Sequence, residues 1–202
     1  MGPQSPFHLY LKTLPQDFSH FPINYPEELL KELKGTCFLE QIEHKKLDMK
    51  KDYLNIVAVE ESFERFGLQK FCEARLLVSS RVFGIVMEGQ KTDALVPMAD
   101  MLNHRVPKQT SWFFCDRNNG FVIQSLRDIP SGHEVFDSYG QKCNSRFLLH
   151  YGFVLPNNPH NEAVTMTLYS LSTSTSPISS KVHRAQSKSE SVVSSNPKVS
   201  NK

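Results

Sequence analysis

Leu95-Val96-Pro97-Met98-Ala99-Asp100-Met101-Leu102-Asn103-His104 runs from apolar residues directly into a polar cluster. Glu134-Val135-Phe136-Asp137-Ser138-Tyr139-Gly140 repeats that arrangement further along the chain. Between the two lies the chemistry of a hairpin. Phe113-Phe114-Cys115 and Gly120–Ser125 read as strands, joined through Asp116-Arg117-Asn118-Asn119-Gly120. The Asn-Gly pair supplies the positive backbone angles that a tight reversal needs. Ile129-Pro130-Ser131-Gly132 reads as a further turn, after which residues 133–136 resume an extended pattern.

Upstream, the apolar period changes to that of helices. Pro26 suits a first helical turn, with Glu27 and Glu28 at its positive end. Leu29, Leu30 and Leu33 give that helix an apolar face, and Gly35 can end it. Residues 36–52 are charged, with Phe38, Leu39 and Ile42 at helical spacing. Residues 53–66 read as a separate helix stopped by Gly67. Leu68, Phe71, Cys72, Arg75, Leu76, Ser79 and Phe83 fall at three- and four-residue steps, predicting a helix that ends near Gly84. Gly89-Gln90-Lys91-Thr92-Asp93 reads as a polar surface connection. Downstream, Asn144–Tyr151 reads as a short helix, and residues 164–171 as one more strand. Beyond about residue 170 the chain is rich in Ser, Thr, Pro and Lys, the composition of a disordered tail. Helices first and strands around a hairpin afterwards predict an α+β fold.

Composition narrows the function. The net charge is +2, from 23 Lys and Arg against 21 Asp and Glu, which gives no electrostatic footprint for nucleic acid. Cys37, Cys72, Cys115 and Cys143 are widely spaced, with no Cys-x-x-Cys pair, so no metal site is expected. They read as reduced thiols of an intracellular protein, in cytoplasm or nucleus. Residues 1–6 lack the basic start and apolar stretch of a signal peptide, and no run is long enough to cross a membrane. Nothing in the composition fixes an oligomeric state.

Several motifs, taken in order, resemble the SET-domain protein methyltransferases. The resemblance is to the group that contains the Rubisco large-subunit lysine methyltransferases and an actin-histidine methyltransferase. Tyr10-Leu11-Lys12-Thr13-Leu14-Pro15 and Leu33-Lys34-Gly35-Thr36 are similar to landmarks around that group's inserted helical region. Val78-Ser79-Ser80-Arg81-Val82-Phe83 resembles its Ser-Arg-x-Phe helix end. Asp100-Met101-Leu102-Asn103-His104 resembles its Asp-x-x-Asn-His cofactor motif. Tyr139-Gly140, Asn144 and Tyr151-Gly152-Phe153 resemble its catalytic end.

The resemblance implies a fold and a site. Residues 1–84 would be the inserted helical region, 85–160 the C-terminal SET core with small sheets around a pseudoknot-like cofactor site, and 161–202 a short strand and Ser-rich tail. It implies S-adenosylmethionine as cofactor, held by Arg81, Asp100, Asn103 and His104. Arg81 would approach the cofactor carboxylate with its planar fork. It implies Tyr139 at the reaction centre, with Phe83 and Tyr151 lining the acceptor channel. An unperturbed tyrosine is protonated at neutral pH, so Tyr139 would orient the acceptor rather than act as a standing base. A narrow aromatic channel suits methyl transfer, because positioning supplies much of the rate. Complete relatives begin with a further SET segment carrying a glycine-containing cofactor loop; no Arg-Gly or Gly-x-Gly motif precedes the helical region here, so a partial SET domain is expected. The implied function is methylation of a nonhistone protein substrate on lysine. The alternatives are histidine as acceptor, or a noncatalytic protein-binding SET fragment.

Overall fold

Thr36 starts the longest element. Its hydroxyl accepts from the Leu39 N–H, satisfying one of the free donors of a new helix. The helix then runs unbroken over Cys37–Val59. The computed structural model describes residues 4–161. Within them α1 is His8–Thr13, α2 Glu27–Glu32, α3 Cys37–Val59, α4 Gly67–Arg81 and α5 Asn144–Tyr151. Single 3-10 turns precede α2 and α4. The strands are β1 Val82–Met87, β2 Gln90–Leu95, β3 Asn103–His104, β4 Thr110–Cys115, β5 Gly120–Ser125 and β6 Phe136–Asp137. They form three two-stranded sheets: β1–β2 and β4–β5 are antiparallel, and β3–β6 is parallel. The result is a mixed fold of helices and small sheets. The strand expected at 164–171 and the Ser-rich tail lie outside the described residues.

The helical core is apolar. Ile42 of α3 and Leu76 of α4 are completely shielded, and Phe21, Ile23, Met49 and Leu149 close around them. Burying each such side chain contributes about 1.5–3 kcal/mol. Tyr53, Phe63 and Phe71 extend the contact between α3 and α4 with ring centroids 5.7–6.2 Å apart. Beyond α4 a second aromatic group holds the sheets together. Phe83 meets Trp112 edge-on at 5.2 Å and Phe121 at 4.9 Å, linking β1 to the β4–β5 hairpin.

Several expectations change. The separate helices read at 36–52 and 53–66 are α3 plus a 3-10 turn, Glu61–Phe66; no helix breaker lies near Asp52, and Met49 and Tyr53 continue the buried stripe. Gly67, at φ +73°, ends the 3-10 element before it, its N–H donating to the Glu64 carbonyl, and at the same residue α4 begins. The helix ends at Arg81, so Phe83 is a β1 residue whose spacing only mimicked one more helical turn. Gly84 itself lies within β1. Gln90–Leu95 is not a loop but β2, paired with β1 through a Glu88-Gly89 reversal. Pro26 caps α2 from outside. The β4–β5 hairpin forms, but β4 begins at Thr110 rather than Phe113, and the reversal is a 3-10 turn, Asp116–Asn118, followed by Asn119 in the left-handed conformation at φ +44°, ψ +50°; Gly120 already belongs to β5.

Candidate active site

Met98 turns the chain sharply, with φ +73°, a conformation costly for a residue bearing a side chain. Met98 itself stays 76% exposed, while Asp100, two residues on, is buried. The Asp100 carboxylate gathers three chain segments. Arg81, the last residue of α4, donates from Nη1 to Oδ2 at 3.0 Å and to the Asp100 backbone oxygen at 3.1 Å. The Tyr10 hydroxyl from α1 donates to the same Oδ2 at 2.7 Å. Burial, with that acceptor alongside, pushes the Tyr10 phenol up to about 12. Asp100 Oδ1 is buried without a partner. The remaining guanidinium donors of Arg81 make no hydrogen bond among the described residues, which leaves donors and an acceptor side by side.

The β3–β6 ladder brings the two quoted stretches together, Asn103 opposite Phe136 and His104 opposite Asp137. Its outer edge is tied by Gln109, whose Oε1 accepts from the Phe136 N–H at 3.1 Å. Its inner edge is tied by Thr110, whose hydroxyl lies 3.0 Å from Asp137 Oδ1 and 3.2 Å from the Phe136 carbonyl. Just past the ladder, the Tyr139 N–H donates to His104 Nδ1 at 3.0 Å. With Nδ1 accepting, a neutral ring carries its proton on Nε2. Nε2 is buried and has no partner. Burial and then the charge of Lys142 hold the His104 pKa below the usual imidazole value, while Asp137 pulls the other way. The ring packs on Phe147 at 4.8 Å and Tyr139 at 5.3 Å.

Tyr139 is the hinge of the site. Its hydroxyl donates to the Leu102 carbonyl oxygen at 2.7 Å, and its ring stacks on Tyr151 at 5.1 Å with planes 23° apart. Burial chiefly pushes its pKa up to about 12, so it is a neutral donor near pH 7. Burial raises Tyr151 as well. Two clefts share Ser80, Arg81, Asp100, Tyr139 and Tyr151 as a common wall. The larger, about 320 Å³, continues past Phe83, Trp112 and Lys142. The smaller, about 210 Å³, continues past Met101, Asn103 and Phe153.

All seven residues singled out in the sequence lie in this one neighbourhood, with different partners. Phe83 and Tyr151 line the larger cleft, and Arg81, Asp100 and Tyr139 the shared wall. Asn103 is exposed, and its amide donates to Glu134 Oε1 at 2.6 Å. His104 lies behind Tyr139 rather than on a cleft surface. Sequence reading missed four groups. Trp112, the chain's only tryptophan, starts inside β4 because that strand begins at Thr110. Phe153 was visible as the aromatic after the Tyr151-Gly152 helix stop. Tyr10 opens a family-like stretch, but nothing local in it or around Lys142 gives a role at the site; Tyr10 reaches Asp100 across 90 residues of chain.

The SET-domain family model matches residues 12–140, more than half of the chain. The ribosomal lysine N-methyltransferase set10 of Schizosaccharomyces pombe is 29% identical over 83% of this chain and 31% of its own length. An actin-histidine N-methyltransferase of Danio rerio is 25% identical over 79% of this chain and 28% of its own. The crystal structure of the SET domain of LSMT bound to MeLysine and AdoHcy superposes with a TM-score of 0.62 at 27% identity, covering 77% of this chain and 37% of that one. The chain thus spans about a third of the length of the relatives it matches. With its motifs assembled around one pair of clefts and the family model running through them, the chain belongs to the SET-domain family.

Proposed function

We propose that the protein containing this chain is an S-adenosylmethionine-dependent protein methyltransferase acting on lysine of a nonhistone protein, inside the cell. The observation that carries the reading is the pair of clefts meeting at the Tyr139–Tyr151 stack. Donor and acceptor of a methyl group must approach one point from opposite sides, and two clefts that share a wall suit such an arrangement. The ladder formed by Asn103-His104 and Phe136-Asp137 supports reading this region as the pseudoknot-like centre of a SET core. Lysine is favoured over histidine because the 27% identical structure is bound to MeLysine and the first relative is a ribosomal lysine methyltransferase.

The smaller cleft suits the cofactor by its chemistry. The free guanidinium donors of Arg81 match a carboxylate. The unpartnered Asp100 Oδ1 is a buried acceptor with nothing to accept from, which matches an ammonium or amine. Phe153 and Tyr151 give flat apolar surface, and Asn103 an amide at the mouth. His104 supports this wall from behind by fixing the Tyr139 backbone. S-adenosylmethionine, when bound, supplies a methyl group made electrophilic by its sulfonium sulfur.

The acceptor side follows from the larger cleft. Phe83 and Trp112 form its apolar flank and exclude water. Tyr151, stacked on Tyr139, adds aromatic wall beside the acceptor. The Tyr139 hydroxyl, already donating to Leu102, keeps its lone pairs for an N–H of the acceptor and so turns the nitrogen lone pair away from itself. At a pKa of about 12 it does not remove the proton itself at neutral pH.

Calorimetric titration of S-adenosylmethionine into the purified protein, followed by labelled-methyl transfer to cell-extract proteins, tests the reading. One-site saturable binding and label on lysine are expected. A folded protein that binds no S-adenosylmethionine overturns it in favour of a noncatalytic binding fragment, and label confined to histidine overturns the choice of acceptor. Tyr139→Phe is expected to lower turnover more than cofactor affinity, and Asn103→Ala to weaken that affinity.

A further inference from the structure

Lys142 stands inside the larger cleft, and nothing in the scheme above employs it. It follows Tyr139 by three residues and is half-buried. Its Nζ donates to the Tyr139 carbonyl oxygen and lies 5.6 Å from the centroid of the Tyr151 ring. No ion pair among the described residues includes it. A cation anchored to the backbone of one cleft tyrosine and over the ring of the other faces whatever enters the cleft beside their stack.

The other charges around it do not cancel it. Arg81 and Asp100 neutralise each other at 3.0 Å. Asp137 also lines the cleft, but its carboxylate is held by Thr110 and lies beyond ion-pair distance of Lys142. Arg146 of α5 adds positive charge and, after burial, lowers the Lys142 pKa below the usual lysine value. His104 and His150 both feel Lys142 as a charge that opposes their own protonation. Tyr139 and Tyr151 are neutral.

We propose that Lys142 lowers the basicity of the lysine amine that enters this cleft, so that the acceptor arrives without its proton and no side chain serves as general base. The inference rests on the lysine reading above. An incoming R–NH3+ gives its proton to water. The lone pair left on R–NH2 forms the new N–C bond while the C–S bond of the sulfonium donor breaks and its electrons return to sulfur. A fixed cation lining the same cleft favours that proton loss by on the order of one pH unit at a partly screened site. The same charge opposes binding of the protonated amine, so Lys142 weakens acceptor affinity while raising the fraction that can react.

The test measures kcat and KM for a lysine acceptor from about pH 6 to about pH 10 with the whole protein, its Lys142→Arg variant and its Lys142→Gln variant. Arginine keeps the charge; glutamine keeps a donor for the Tyr139 carbonyl and removes the charge. The expected result is a wild-type profile for Lys142→Arg. For Lys142→Gln the acid limb of kcat moves up by about one pH unit and KM near neutrality falls severalfold. Superimposable profiles for all three proteins overturn the proposal, as does a loss that arginine fails to rescue. Calorimetry adds a readout without turnover: a trimethyl-lysine peptide, a permanent cation, should bind severalfold tighter to Lys142→Gln, and equal affinity refutes the idea. Methylation found on Lys142 itself also refutes it, because the residue would then be an acceptor. A protein that binds S-adenosylmethionine yet methylates no lysine removes the lysine reading and this inference together. An active protein with an unmoved pH profile removes this inference alone.

Discussion

The helical half and the cleft half of the molecule are sealed by opposite means. Between α3 and α4 the interior is Ile42, Leu76 and Met49, whose side chains carry no hydrogen-bonding hydrogen and need no specific partner. Around the clefts the buried residues include Asp100, Gln109, Thr110 and Asp137, each tied to particular partners by hydrogen bonds. Apolar burial stabilises wherever shapes fit. Buried polar groups only avoid a penalty, and only if the right partner is there. The first half therefore supplies stability, and the second spends it on geometry.

Breaking the apolar half should cost most. Leu76→Ala is expected to destabilise by about 2–5 kcal/mol, seen as a lowered midpoint in urea, with cofactor affinity unchanged in the fraction that stays folded. A loss of less than about 1 kcal/mol would place the main core elsewhere. Breaking the polar half should cost less stability and more function. Asp100→Ala removes the shared acceptor of Arg81 and Tyr10 and is expected to cost about 1–3 kcal/mol, because Arg81 is 18% exposed and water can reach it. The distinguishing result is a loss of cofactor affinity larger than Leu76→Ala produces; equal losses would erase the contrast between the halves.

A smaller effect sits at the seam. His150 on α5 is half-buried, and burial, then Lys45, Arg146 and Lys142, bring its pKa from 6.5 down to about 4. The unfolded chain therefore binds the proton first. Stability from this group is complete above pH 6.5 and declines as pH falls toward about 4. Denaturation midpoints followed over that range should drop in the wild type and flatten in His150→Gln; parallel curves would discharge His150 from the role. The smallest effect is expected at Met98. Met98→Gly relieves its positive φ but loosens the unfolded chain, for a net gain of at most about 1 kcal/mol. A loss of that size instead would mean that the exposed side chain makes contacts worth more than the strain.

Legibility in the sequence follows the same divide. α4, α5 and the β4–β5 hairpin could be read because their signals are local: a stripe of apolar residues, a helix-stopping Gly152 at φ +78°, an Asn-Gly turn. β2 could not be. Gln90-Lys91-Thr92-Asp93 is exposed and charged, and it is a strand only because β1 lies beside it. Phe83 misled because an apolar residue two places past a helix fits either period. The motif residues of the clefts were found through family resemblance, which records spacing without contacts. The Tyr10–Asp100 bond and the placement of Lys142 depend on chain segments meeting in space, and no local pattern encodes that.

The parallel ladder of Asn103-His104 with Phe136-Asp137 is only two residues long, yet it closes a loop of about thirty. The Tyr139 N–H to His104 bond and the Tyr139 hydroxyl to Leu102 bond cross the same gap. None of the three can form until the entropy of that closure has been met, and each makes the next nearly free once it has. Such a junction is expected to form late in folding and to open before α3 and α4 part. Amide hydrogens of residues 136–139 should accordingly exchange faster than those of the helical core, and slow together, as one unit, when a ligand occupies either side of Tyr139.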